Sequence, residues 1–167
     1  AAGFAAVDLT EADEHGQVVS LVHFDTGDLD AAYAELDARF AAGEGCEHTA
    51  ATAWTAAFYQ AMKHHDWEAA AACYAPTFVG YDHRLVGWGT LAGRAAFLPT
   101  LQTMIELAPD ARIRRDHVRM TNRGAIFSNM WTGTRDGGAF ESPFAAVLEL
   151  DESGLAQRLD FYDPHHV

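Results

Sequence analysis

The chain has 167 residues, of which 49% are hydrophobic and 21% charged, with a formal net charge of −13 at pH 7. That is enough apolar material for one folded domain with some chain to spare, and it excludes a disordered segment. The acidic balance excludes phosphate-directed nucleic-acid binding and adsorption to an anionic membrane surface, both of which need clustered Lys and Arg.

No apolar run reaches the ~18 residues of a membrane span. The two cysteines, Cys46 and Cys73, sit in unlike surroundings without metal-like spacing. Reduced thiols and a cytoplasmic location are expected rather than a disulfide framework. The chain has no Gly-rich phosphate loop, no Gly-x-Ser-x-Gly elbow, no Cys/His nucleophile pattern and no His-Glu-x-x-His, so neither a cofactor nor a metal is expected.

The opening Ala1-Ala2-Gly3-Phe4 lacks an initiator Met. This leads to the expectation that the chain is a piece of something longer. An internal echo supports it. Phe-Ala-Ala-Val occurs at Phe4–Val7 and again at Phe144–Val147. Each copy is followed by an acidic, Gly-containing turn and then by a strand ending in an aromatic and Asp, Val18–Asp25 and Ala156–Asp163. The matched order of features reads as duplication. Residues 1–27 would be the last hairpin of a truncated preceding repeat. Residues 28–47 read as a linker helix and loop. Asp28 is the expected cap, Leu29, Ala32, Tyr33, Leu36 and Phe40 the apolar stripe, and Ala41–Gly45 the stop. Residues 48–167 would be a complete domain.

That domain opens with a helix over Thr49–His64, where Trp54, Phe58, Ala61 and Met62 recur at helical spacing. Asp66 caps a second helix, Trp67–Tyr74, stopped by Pro76. A strand follows over Thr77–His83, then a Gly87-Trp88-Gly89 turn. A third helix spans Arg94–Leu107, with Pro99 expected to kink it or to mark its true first turn. Four strands come last: Arg112–Thr121, Gly124–Arg135, Gly138–Leu150 and Leu155–Tyr162. Asn122-Arg123-Gly124, Asp136-Gly137-Gly138 and Ser153-Gly154 form hairpin-type turns between them. Helices followed by a run of strands define an α+β arrangement.

Strand alternation sorts the side chains. Phe127, Asn129 and Trp131 share one face of their strand, read as the face under the helices. Asp116 shares a face with Val118 and Met120. Asp82 and His83, neighbours in the chain, point to opposite sides and cannot form a dyad on a regular strand. His64-His65 and His165-His166 read as exposed hinge and chain-end residues.

The segments from Phe58 to His83, Leu91-Ala-Gly-Arg-Ala-Ala-Phe-Leu98 and Gly154–Pro164 resemble the nuclear-transport-factor-2-like cone and, within it, the SnoaL-like group. Gly87-Trp88-Gly89-Thr90-Leu91 and Glu106–Asp110 resemble tandem C-terminal domains of this kind in large actinobacterial ATPase or cyclase-type regulators. The resemblance implies three helices packed on a strongly curved antiparallel sheet, and a cone able to hold a small apolar or partly polar organic ligand. It also implies a homodimer. Asp82 matches the catalytic acid of the isomerase members, and with Asp116 and Asn129 it could form an acid–base site. The partners of that chemistry are missing: the first-helix tyrosine falls on Phe58, next to Tyr59, and the acidic donor falls near Ala145 or Ala146. Alternatively, Asp82 accepts from Arg84 or a turn, and Asp116 pairs with Arg114. The expected ligand wall is Trp54, Phe58, Tyr59, Phe78, Trp88, Phe127, Asn129, Trp131, Phe144 and Phe161. A small-molecule-binding or interaction module is favoured, ahead of a cyclase, isomerase or dehydratase with Asp82 as base.

Overall fold

The computed structural model describes residues 5–164. Phe4, and the pair His165-His166, lie outside them. Two compact units are present, Ala1–Cys46 and Glu47–Val167.

In the first unit, β1 (Ala6–Ala12) and β2 (Val18–Asp25) form an antiparallel hairpin. The Asp13 carboxylate closes its turn by accepting from the backbone N–H groups of His15 and Gln17. Helix α1 (Leu29–Ala42) follows. At its start the Asp28 carbonyl accepts from Ala31 and Ala32, but the side chain expected to cap makes no capping bond. Arg39 straps the helix to the hairpin, donating to Glu35 at 2.7 Å and to Glu11 and Ser20 at 2.8 Å. The expected apolar stripe is only partly covered: Leu29, Tyr33 and Leu36 are exposed, as are Val18, Val19 and Leu21 on β2.

A 3-10 turn, Glu44–His48, spans the boundary between the units, and helix α2 (Thr49–His64) follows it in the second. His65 closes α2 in the left-handed region, and Asp66 caps α3 (Trp67–Ala72), accepting from the Ala69 N–H at 2.9 Å. Strand β3 (Tyr74–Asp82) starts earlier than expected. Its first residues pair with the last strand before Pro76 can act as a stop, and the short helix ends at Ala72. A short strand, β4 (Thr90–Ala92), lies where only a turn was read. Helix α4 (Arg94–Leu107) runs through Pro99 without a break. Strands β5 (Arg112–Thr121), β6 (Gly124–Arg135), β7 (Gly138–Leu150) and β8 (Ala156–Tyr162) complete the chain.

The sheet order is β4-β3-β8-β7-β6-β5. The architecture is α+β as expected, but the sheet is mixed rather than wholly antiparallel, because β3 runs parallel to β8. Helix α4 and strands β4 to β7 lie between the two in the chain and supply the long connection that a parallel neighbour requires.

Register then sets the inner face. Asp82, Phe161, Ala146 and Phe127 lie in one row across β3, β8, β7 and β6. Phe144, Asn129 and Arg115 form the next row across β7, β6 and β5. The row carrying Phe161 and Phe127 belongs to one buried core with Trp54 and Phe58 of α2 and Phe97 and Leu101 of α4. Aromatic packing dominates. Trp54 and Phe58 stack at 5.0 Å, and Tyr74 meets Phe78 at 4.7 Å and Phe97 at 5.4 Å. The Trp54 indole N–H donates to the Cys73 carbonyl at 2.8 Å and so pins α2 to the end of α3. Gly124 opens β6 where any Cβ would run into the Leu148 carbonyl oxygen, so the β5–β6 turn admits no larger residue.

Candidate binding cavity

The helices do not fill the inner face of the sheet. An open cavity remains between α2, α4 and the sheet, with about 520 Å³ of empty space when the solvent at its mouth is included. Nine of the ten expected wall residues line it. Trp54, Phe58 and Tyr59 come from α2, and Phe127, Asn129 and Trp131 from β6. Phe144 comes from β7, Phe161 from β8, and Trp88 from the loop after β3. Phe78 does not reach the cavity; it is 1% exposed and packs between Tyr74 and Phe97. Helical periodicity or inner-face alternation could have added Phe97, Leu101, Ile113, Ala146 and Leu159, which also line it.

Two polar features break this apolar surface. On one side the Tyr59 hydroxyl donates to the Asn129 side-chain carbonyl at 2.9 Å. Asn129 is buried, and the Arg115 guanidinium lies 4.9 Å from the centre of the Tyr59 ring on the neighbouring strand. On the other side is Arg84, the one charged residue of the lining among the described residues. Its guanidinium sits 5.4 Å from the Trp88 ring centre and 5.8 Å from that of Phe161, within cation–π range.

Asp82 stands behind Arg84 and is not part of the lining. Its side chain is 0% exposed. It accepts from Arg84 Nε at 2.9 Å, Arg84 Nη2 at 2.7 Å, the Arg84 backbone at 3.2 Å and the Trp88 backbone at 3.0 Å. Gly87 is required beside it, because a Cβ there would lie 2.5 Å from the carboxylate carbon. Burial alone would raise the Asp82 pKa. The bonds from Arg84 and Trp88 outweigh burial and hold it below the ordinary carboxylate value. A general base for proton abstraction needs the opposite shift. The geometry is that of a carboxylate knotting the loop 83–89 and fixing a guanidinium.

The expected pairing of Asp82 with Asp116 across Asn129 does not form. Strand β5 bulges between Arg115 and His117, which inverts the alternation, so Arg115 rather than Asp116 faces Asn129. Asp116 instead accepts from Arg114 at 2.7 Å and is part-exposed. His83 lies on the outer face as expected, with its ring stacked on Tyr162 at 4.7 Å and its Nε2 2.8 Å from Asp160. Arg158 also donates to Asp160, at 2.6 and 2.9 Å.

An α+β unit with helices over an inner sheet face, and between them an aromatic cavity with one part-buried cation in its lining among the described residues, has the architecture of a cone. The SnoaL-like domain profile matches residues 55–159, and the chain belongs to that family. Solved structures agree on the fold. A protein of ketosteroid isomerase-like fold from Catenulispora acidiphila, in complex with trimethylamine, is 15% identical, with 66% of this chain and 84% of that chain covered at a TM-score of 0.56. A putative polyketide cyclase from Sinorhizobium meliloti is 16% identical, covering 65% and 93% at 0.54. A cystatin-like protein of unknown function from Xanthomonas campestris is 16% identical, covering 66% and 88% at 0.56. No curated protein matches the chain. Among the described residues no helix is long and apolar enough to cross a membrane.

Proposed function

We propose that the chain is a non-catalytic small-molecule-binding domain of the SnoaL-like type, working as one module of a larger multidomain protein. The observation that carries this reading is the state of Asp82. The cavity is lined mostly by aromatic and apolar side chains, which suits an organic ligand, yet the acid that matches the catalytic one of the isomerase members is sealed behind Arg84 with both oxygens engaged. The exposed apolar residues on β2 and α1 support the further reading that residues 1–27 are the last hairpin of a sister repeat, since such a hairpin would have lost its own partners. A cytoplasmic location is consistent with the free thiols of Cys46 and Cys73. Pairing of two copies through the outer sheet face would cover Ile126, which is 46% exposed.

Native mass spectrometry tests this reading. The protein is incubated with aromatic ketones, phenols and aromatic acids beside Ala146→Phe, whose larger ring projects into the cavity. Wild type retains one compound per chain and releases it unchanged, Ala146→Phe retains none, and the dimer mass is seen. A new product mass that disappears in Asp82→Asn would instead establish the cyclase, isomerase or dehydratase reading.

A further inference from the structure

An aromatic cavity of this kind would ordinarily suit a cationic guest, because the ring faces attract positive charge. Here two of those faces, on Trp88 and Phe161, are already taken. Arg84 lies over both Trp88 and Phe161, so the cavity supplies its own cation. No carboxylate lines the cavity among the described residues. The charge that balances Arg84 is Asp82, whose oxygens are wholly enclosed and held on the far side of the guanidinium. The ion pair therefore presents its positive end to the ligand. Nε and Nη2 are spent on Asp82, whereas Nη1 makes no hydrogen bond among the described residues. Fixed in a planar fork, the guanidinium needs no reorganisation to receive an oxyanion. The polar pair Tyr59–Asn129 gives the far side of the cavity a neutral hydrogen-bonding end, and Arg115 beside it adds positive charge.

We infer that this cavity selects flat aromatic acids, with the ligand's carboxylate on Arg84 and its rings between Trp88, Phe161 and the α2 aromatics. The inference rests on the binding reading above and gives it a ligand class. Asp82 is then a positioning residue that aims the Arg84 fork. Neutral ring compounds enter without the charge-assisted bond. Ammonium compounds meet a resident cation.

Three probes of one shape test this: 2-naphthoate, 2-naphthylmethanol and 2-naphthyltrimethylammonium, titrated by calorimetry at pH 7 in low salt. The expected order is naphthoate at least about tenfold tighter than the alcohol, with the ammonium weakest. Arg84→Gln removes the preference for the acid while leaving the affinity for the alcohol within about threefold, and Arg84→Lys retains part of it. Should Arg84→Gln fail to fold with Asp82 unpaired, the double variant Asp82→Asn/Arg84→Gln removes both charges and must show the same loss. Equal binding of acid and alcohol would overturn the ligand class but leave the binding function standing, as would a preference for the ammonium or a preference for the acid that survives the double variant. Failure of all three probes to bind would overturn both.

Discussion

Replacing Asp82 by Asn separates a structural carboxylate from a catalytic one, because the two roles predict stability changes of opposite sign. In the structure the Asp82 side chain is 0% exposed and Arg84 16% exposed, with two side-chain bonds joining them at 2.7 and 2.9 Å. Asn keeps the shape but removes the charge, and its amide NH₂ is set against donors from Arg84 or Trp88. Losing charge-assisted bonds in such a site, offset by partial rehydration of Arg84, costs about 2–4 kcal/mol. For a domain of this size that lowers Tm by about 6–12 °C. The pH dependence follows from the depressed folded-state pKa of Asp82. The stabilisation is complete above the unfolded carboxyl pKa and is lost as pH falls through the lower folded value. The gap between wild type and Asp82→Asn is therefore constant from pH 7 down to about pH 4 and closes only below that. Urea titrations followed by tryptophan fluorescence across this range measure it. A base desolvated in an apolar cavity would have a raised pKa, and Asn would then be neutral or stabilising at pH 7. That outcome, or a gap that closes between pH 7 and 5, would refute the reasoning.

Tyr74→Phe is expected to stabilise the protein by about 1 kcal/mol, since the Tyr74 hydroxyl is fully buried with no hydrogen-bond partner among the described residues; a lower urea midpoint would show that the hydroxyl has an ordered partner. Gly87→Ala should cost about 1–3 kcal/mol and weaken ligand binding as well, because the added Cβ would meet a carboxylate tethered by its own bonds. Circular dichroism melts check the first effect, and unchanged stability would mean that the loop can retreat without loosening Asp82.

The fold was legible because its signals are local and repeated. Helices Thr49–His64 and Arg94–Leu107 and strands β5, β6 and β7 match the sequence reading residue for residue. The parallel pairing of β3 with β8 was not legible, because alternation says which face a residue takes and not which strand lies beside it. The aromatic wall followed from parity: once Phe127 faces the helices, Asn129 and Trp131 must too. Asp116 was placed on the wrong face because one extra residue in β5 inverts the alternation, and no Gly or Pro marks that bulge. Arg84 was visible only as a candidate partner of Asp82. That the pair turns its guanidinium inward depends on the path of residues 83–89, which periodicity does not describe. The Asp-x-Arg spacing ahead of Gly87-Trp88-Gly89 is the signal that could have found it.

The most direct test of the binding cavity uses the four tryptophans as reporters. Trp54, Trp88 and Trp131 line the cavity, whereas Trp67 does not. In ¹⁵N-resolved NMR spectra of the indole N–H groups, titration with 2-naphthoate should move the signals of Trp54, Trp88 and Trp131 along one common saturation curve and leave Trp67 in place. Saturable shifts confined to Trp67, or no shift in any of the four up to millimolar probe, would contradict a ligand-binding cone.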